Sequence, residues 1–147
     1  SETGCRLILA GPPPDEIIQS TIYERGLDRD VEFVIDPDDA DIRSLYRMAR
    51  LLLFPSYYEG FGWPPLEAMA WGCPVVCSRS GSLPEVVGEA ALTADVENEA
   101  ELAAHCVRLL TDQGLADQLV SAGHAQVDRF SLDRFRNNLV EIYRSLA

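Results

Sequence analysis

Two glutamates, Glu59 and Glu67, stand with seven residues between them, and the intervening segment is Gly60-Phe61-Gly62-Trp63-Pro64-Pro65-Leu66. Carboxylates accept hydrogen bonds from neutral hydroxyls, while a Gly-aromatic-Gly turn lets backbone amides approach a ligand with no side chain in the way. A proline-started helix directly behind that turn adds a positive dipole end suited to oxygen-rich or anionic groups. The chemistry this constellation fits is the binding of a ligand carrying both sugar hydroxyls and phosphate.

Such a constellation needs elements that hold it. Leu51-Leu52-Leu53-Phe54 is a short apolar run bounded by Pro55-Ser56, which reads as a parallel strand buried on both faces. The chain then leaves the sheet at a carboxyl end, the place where open α/β sheets bind ligands. Pro64 or Pro65 suits the first helical position, so a helix over 66–71, ended by Gly72, puts Glu67 in its first turn. A glutamate there also serves simply as a partner for the helix N-terminus. Glu59 has no such capping role, and a solvated loop charge is the alternative for it. Trp63 and Trp71 flank the helix and can stack on a base or sugar or pack into a core; Trp63, beside the turn, is the ligand candidate.

The run Phe54-Pro55-Ser56-Tyr57-Tyr58-Glu59-Gly60-Phe61-Gly62, then Pro64-Pro65-Leu66-Glu67-Ala68-Met69-Ala70 and Gly72-Cys73-Pro74-Val75-Val76, resembles the family-4 retaining glycosyltransferases of the GT-B fold. Val31-Glu32-Phe33, Ser44-Leu45-Tyr46, Gly81-Ser82-Leu83-Pro84-Glu85-Val86-Val87-Gly88 and Arg129-Phe130-Ser131 extend the likeness over nearly the whole chain. The resemblance implies that a nucleoside diphosphate sugar binds here, with Glu59 as the catalytic-site carboxylate and the amides of Gly60, Phe61 and Gly62 at the sugar. Glu67 would hold the ribose hydroxyls. Ile35 stands at the nucleobase pocket, where family members usually carry a glycine, and Asp36 follows it. The resemblance also implies that the chain starts after the family's first strand-helix unit, whose Arg and Lys neutralise the diphosphate. The acceptor-binding N-terminal domain is likewise expected to be missing, leaving 1–147 a single partial donor domain that is inactive alone.

Composition narrows the classes. A 147-residue chain with 47% apolar and 24% charged residues has enough material for one soluble core, which excludes disordered and fibrous types. A net charge of −12 argues against nucleic acid and anionic membrane surfaces as partners, and it suits a domain whose phosphate-neutralising residues lie elsewhere. Cys5, Cys73, Cys77 and Cys106 form no C-x-x-C pair, and His105 and His124 stand apart, so neither a zinc site nor a disulfide framework is expected. The acidic run 36–41 reads as a solvated loop and helix start, and its spacing does not match a calcium loop. No run has transmembrane length, no leader is visible at the start, and free thiols suit a reducing cytoplasm. Nucleophile-elbow, P-loop and dinucleotide motifs are absent.

The organisation expected is strands at 6–10, 31–35, 51–54, 75–77 and 91–93, alternating with helices at 15–25, 41–49, 66–71, 84–87, 100–110, 114–128 and 131–146. That alternation predicts an α/β, Rossmann-like three-layer sandwich with a mostly parallel sheet, the C-terminal half of a GT-B fold without its first strand-helix unit. Ser78-Arg79-Ser80-Gly81 is a lesser phosphate candidate. The function expected is donor binding for a retaining hexosyltransferase, needing no metal or other cofactor. Its acceptor would be a carbohydrate or a lipid-linked sugar, with any membrane association running through the missing domain. A non-catalytic GT-B scaffold or partner-binding module is the alternative, and a GT-B sugar epimerase a third.

Overall fold

The computed structural model describes residues 4–146. They separate into two compact units, divided between Leu45 and Tyr46.

In the first unit, strand β1 (Leu7–Gly11) pairs in parallel with β2 (Val31–Ile35), Leu7 opposite Val31 and Gly11 opposite Ile35. Helix α1 (Glu16–Glu24) connects them, opened by Asp15, whose carboxylate accepts from the Ile18 amide at 2.8 Å. After β2 the acidic run opens α2 (Asp39–Met48). Asp38 Oδ1 accepts from the amides of Ala40 and Asp41, and Asp41 Oδ2 accepts from the Asp38 amide. These carboxylates are occupied as a helix cap.

The second unit holds β3 (Leu52–Phe54), β4 (Val75–Ser78) and β5 (Ala91–Ala94), all parallel, in the order β3-β4-β5. Between them run α3 (Trp63–Ala70) and α4 (Leu83–Val87); after them come α5 (Glu99–Thr111), α6 (Gln113–Arg129) and α7 (Leu132–Ser145). Every β4 side chain is buried, and the two faces of that strand feed different clusters. Val75 and Cys77 join Ala68, Met69, Cys73, Leu83, Val87 and Ala90 on the side of α3 and α4. Val76 joins Ala94, Leu102, Leu109 and Leu119 on the side of α5 and α6. A sheet with helices packed on both faces is the three-layer arrangement that the apolar runs predicted.

Each fully buried Leu or Val contributes about 1.5–3 kcal/mol of apolar burial, so these clusters fix where β3 and β4 end. The expectation that Leu51–Phe54 is buried on both faces does not hold. Leu53, on the end strand of its sheet, is 38% exposed, whereas Leu52 and Phe54 pack against the cluster on the α3 side and Leu51 against that on the α5 side. The strand that is covered on both faces is β4.

Candidate functional site

The carboxyl ends of β3 and β4 each release a loop, 55–62 and 79–82, and hydroxyl groups stitch the two together. Ser78 Oγ, on the last residue of β4, donates to the Ser56 carbonyl. Ser56 Oγ lies 3.0 Å from Glu59 Oε1 and 3.2 Å from the Tyr58 carbonyl oxygen and shares its one hydrogen between them, which helps to hold that half-buried carboxylate. Ser82 Oγ lies 3.1 Å from the Glu59 carbonyl oxygen and 2.8 Å from that of Phe61. Gly81 (φ +56°) lies so close that a Cβ on it would sit 2.5 Å from the Glu59 carbonyl oxygen.

At Gly62 the chain turns left-handed (φ 98°, ψ 52°), a conformation open to glycine, and any Cβ there would meet Leu83 Cδ2 at 2.6 Å. Helix α3 therefore starts at Trp63, ahead of Pro64 or Pro65, the first helical position expected. Pro64 and Pro65 occupy its second and third positions, where an amide hydrogen would have no helical partner anyway. Two corrections follow. Glu67 lies in the second turn of α3. Moreover, the two prolines remove two of the four donors at the helix N-terminus, so most of the free amides come from the loop. Among the described residues, the N–H groups of Gly60, Phe61, Gly62 and Trp63 have no hydrogen-bond partner.

The aromatic groups line up beside these amides. The Phe61 and Trp63 rings lie 4.5 Å apart and tilted by 42°, and Phe130 meets Phe61 edge-on at 5.6 Å. Trp63, 61% exposed, and Glu67 are four positions apart on the open face of α3, about 6 Å along its axis. Tyr46 OH donates to Glu67 Oε2 across a long 3.5 Å. Burial, then the Glu67 charge and that hydrogen bond, push the Tyr46 hydroxyl well above its ordinary range, so it stays a donor. Trp71 lies under Arg47, whose guanidinium is 5.8 Å from the ring centroid.

Sequence reasoning thus brought Glu59, Gly60, Phe61 and Gly62 into one loop, with Trp63 opening the helix and Glu67 one turn beyond. It gave no role to Ser56 and Ser82 and took Ser78 only as part of a lesser phosphate candidate, although hydroxyls at the carboxyl ends of neighbouring strands were a usable signal. Arg79 reaches Glu101 at 3.7 Å, so it is engaged with a carboxylate. Ile35 belongs to the first unit, closing β2 and 53% exposed. That unit also has an apolar recess of about 320 Å³ lined by Leu9, Gly11, Pro13, Ile18 and Phe33. Its one carboxylate, Asp15, is taken up as the helix cap. Among the described residues, no group of three or more His, Cys, Asp or Glu is placed to hold a metal, and no helix is long and apolar enough to cross a membrane.

A profile of the family described as glycosyl transferases group 1 matches residues 1–126. The chain belongs to that family. Among curated proteins, it is similar to the O-antigen chain mannosyltransferase B of Escherichia coli. The two are 43% identical over 108 residues, which cover 74% of this chain and 28% of that protein. It is 36% identical over 120 residues to a D-inositol 3-phosphate glycosyltransferase of Salinispora arenicola, covering 80% of this chain and 27% of the relative. The chain therefore spans under a third of either relative's length. Among solved structures, sucrose-phosphate synthase from Thermosynechococcus elongatus superposes with a TM-score of 0.82 at 30% identity, over 96% of this chain and 38% of that one. Anabaena Alr3699/HepE, solved with UDP and glucose, gives 0.84 at 23% identity over 98% and 42%, a likeness of fold alone. The parallel α/β architecture is that of the GT-B glycosyltransferases, matched in their C-terminal half.

Proposed function

We propose that this chain is the donor-binding domain of a retaining glycosyltransferase, holding a nucleoside diphosphate sugar while its hexose passes to a carbohydrate or lipid-linked acceptor. The observation that carries this reading is the held carboxylate of Glu59 beside the run of unpaired amides at Gly60, Phe61 and Gly62. Glu59 orients the sugar, the loop amides donate to its oxygens, and Trp63 walls one side. Glu67, exposed on the same helix face, takes the ribose hydroxyls. Support comes from the mannosyltransferase relative and from the GT-B fold shared with a protein solved with UDP.

In the reaction proposed, the bond from the anomeric carbon to the diphosphate oxygen breaks as the acceptor oxygen bonds to that carbon. The acceptor's proton passes to the departing phosphate, so no protein nucleophile and no resident metal is required. The acceptor and the phosphate-neutralising cations come from parts of the enzyme outside this chain, and the work is done at the cytoplasmic side, peripheral to any membrane. Nucleic acid is not a partner of so acidic a domain. One observation favours the scaffold reading instead: Arg79, the cation beside the site loops, is turned to Glu101.

Titration with GDP, UDP and ADP, read by backbone amide shifts, tests the assignment. Shifts centred on 60–67 for one nucleotide support it and identify the base, and silence with all three in the complete protein refutes it. A 2′,3′-dideoxynucleotide binding as tightly as its ribose parent would remove Glu67 from the ribose. Glu59→Ala should abolish transfer while sparing free nucleotide binding.

A further inference from the structure

Ser82 Oγ is the shared donor to two carbonyls, those of Glu59 and Phe61, and the Ser82 backbone N–H adds a longer 3.4 Å contact to the Glu59 oxygen. A hydroxyl has one hydrogen to give, so this is one group gripping two peptide units. In a trans peptide the carbonyl of one residue and the N–H of the next lie in one plane and point in opposite directions. The described chain has no cis bonds. Gripping the Glu59 carbonyl therefore aims the Gly60 N–H away from Ser82, and gripping the Phe61 carbonyl aims the Gly62 N–H away likewise. Neither amide has a partner among the described residues, and Gly62 is a buried residue. A buried amide without a partner is uncommon, and that of Gly62, together with the exposed one of Gly60, both turned away from a single anchoring hydroxyl, has the form of a two-donor cradle.

We propose that Ser82 is a positioning residue for the donor sugar: from the loop after β4 it sets the Gly60 and Gly62 amides as a matched pair toward a sugar or phosphate oxygen. This rests on the donor-binding reading above. Ser82 touches no substrate; it acts through the two peptide planes. Ser56 governs the Glu59 side chain, and Ser82 governs the backbone that follows it. Replacing Ser82 by Ala keeps the backbone N–H, so the Glu59 carbonyl retains one tether while the Phe61 carbonyl loses its own. The Gly62 amide is released more than the Gly60 amide.

The test compares wild type, Ser82→Ala and Ser82→Thr in the complete protein. Affinities for GDP-mannose and UDP-glucose are measured against GDP and UDP, with amide spectra and hydrogen exchange followed at Gly60 and Gly62. The wild type is expected to prefer one sugar nucleotide over its sugar-free counterpart. Ser82→Ala should cut that preference by about two- to tenfold with nucleotide affinity unchanged, and should speed Gly62 exchange more than Gly60. Ser82→Thr, which keeps the hydroxyl, should restore both. If Ser82→Ala keeps the sugar preference, or weakens nucleotide and sugar nucleotide alike, the positioning role is overturned while the donor reading stands. If the wild type prefers neither sugar nucleotide and both amides stay unshifted, the donor reading fails and this inference falls with it. Gly62 exchange in Ser82→Ala decides the cradle geometry even where the threonine variant does not fold.

Discussion

Ser56 Oγ, three positions earlier in the same loop, lies 3.0 Å from Glu59 Oε1, so its shared hydrogen helps to orient the carboxylate from within its own segment before any ligand arrives. Ser56 is in turn anchored through its carbonyl to the Ser78 hydroxyl at the end of β4.

Ser56→Ala should leave the fold intact and the carboxylate loose. Hydrogen bonds to charged groups contribute about 1.5–3 kcal/mol when shielded, and Glu59 is only half-buried, so a loss near 1 kcal/mol is expected. In the complete enzyme this appears as a roughly fivefold fall in kcat with nucleotide Kd unmoved. An equal fall in nucleotide affinity would show that Ser56 holds the loop and not the carboxylate.

Gly81→Ala should destabilise by about 2 kcal/mol or more. The residue has φ +56°, and the added Cβ would sit 2.5 Å from the Glu59 carbonyl oxygen, a backbone atom that cannot swing aside. Chemical denaturation reads the loss directly. A midpoint equal to wild type would mean that the two loops move apart at no energetic penalty.

Gly123→Val tests the packing behind the site. A Cβ at Gly123 would already lie 3.1 Å from Met69 Cγ and 3.2 Å from its Cβ, and Met69 is 2% exposed. Overpacking of this kind typically removes about 1–3 kcal/mol. Because Met69 is on α3, the same variant should also shift the amide signals of Trp63 and Glu67, whereas a purely local effect in α6 would leave them in place.

Alkaline pH should destabilise the second unit through buried groups that the fold keeps neutral. Burial pushes the Cys73 thiol up to about 11 and the Cys77 thiol up to about 12, from an ordinary value of 9.0, and Tyr46 is raised above 10.0. In each case the folded value exceeds the unfolded one. The stabilising contribution is therefore complete below pH 9 for the thiols and is lost progressively as pH climbs from there to 11–12. Each thiol adds a slope of about 1.4 kcal/mol per pH unit within its window. Urea midpoints at pH 8 and pH 10.5 measure this. Cys77→Ala should be less stable at pH 8 yet show a shallower alkaline decline, and an unchanged decline would contradict the assignment.

Much of this molecule could be read from residue order. The apolar run at 75–77 and the alternation of apolar strands with amphipathic helices announce a parallel sheet, and Val31–Ile35 falls on the expected residues. The Glu59 loop was legible because Gly-Phe-Gly has few other uses. What stayed hidden depends on partners distant in sequence. Leu53 reads like its neighbours, and only the strand order exposes it. The start of α3 at Trp63 depends on the left-handed turn at Gly62 beneath Leu83, which no local propensity encodes. Ser82 is an ordinary turn serine until its hydroxyl is seen to grip a loop 21 and 23 positions upstream.

The split of β4 between two clusters has a consequence for how the molecule tolerates change. A swap of volume at Leu102 or Leu109 is taken up in the layer that Val76 joins. A swap at Leu83 is delivered straight to Gly62, where the methyl of that leucine already closes the space a side chain would need. The strand thus acts as a partition. Sequence can drift on the α5 side while the wall carrying the ligand loop holds its shape.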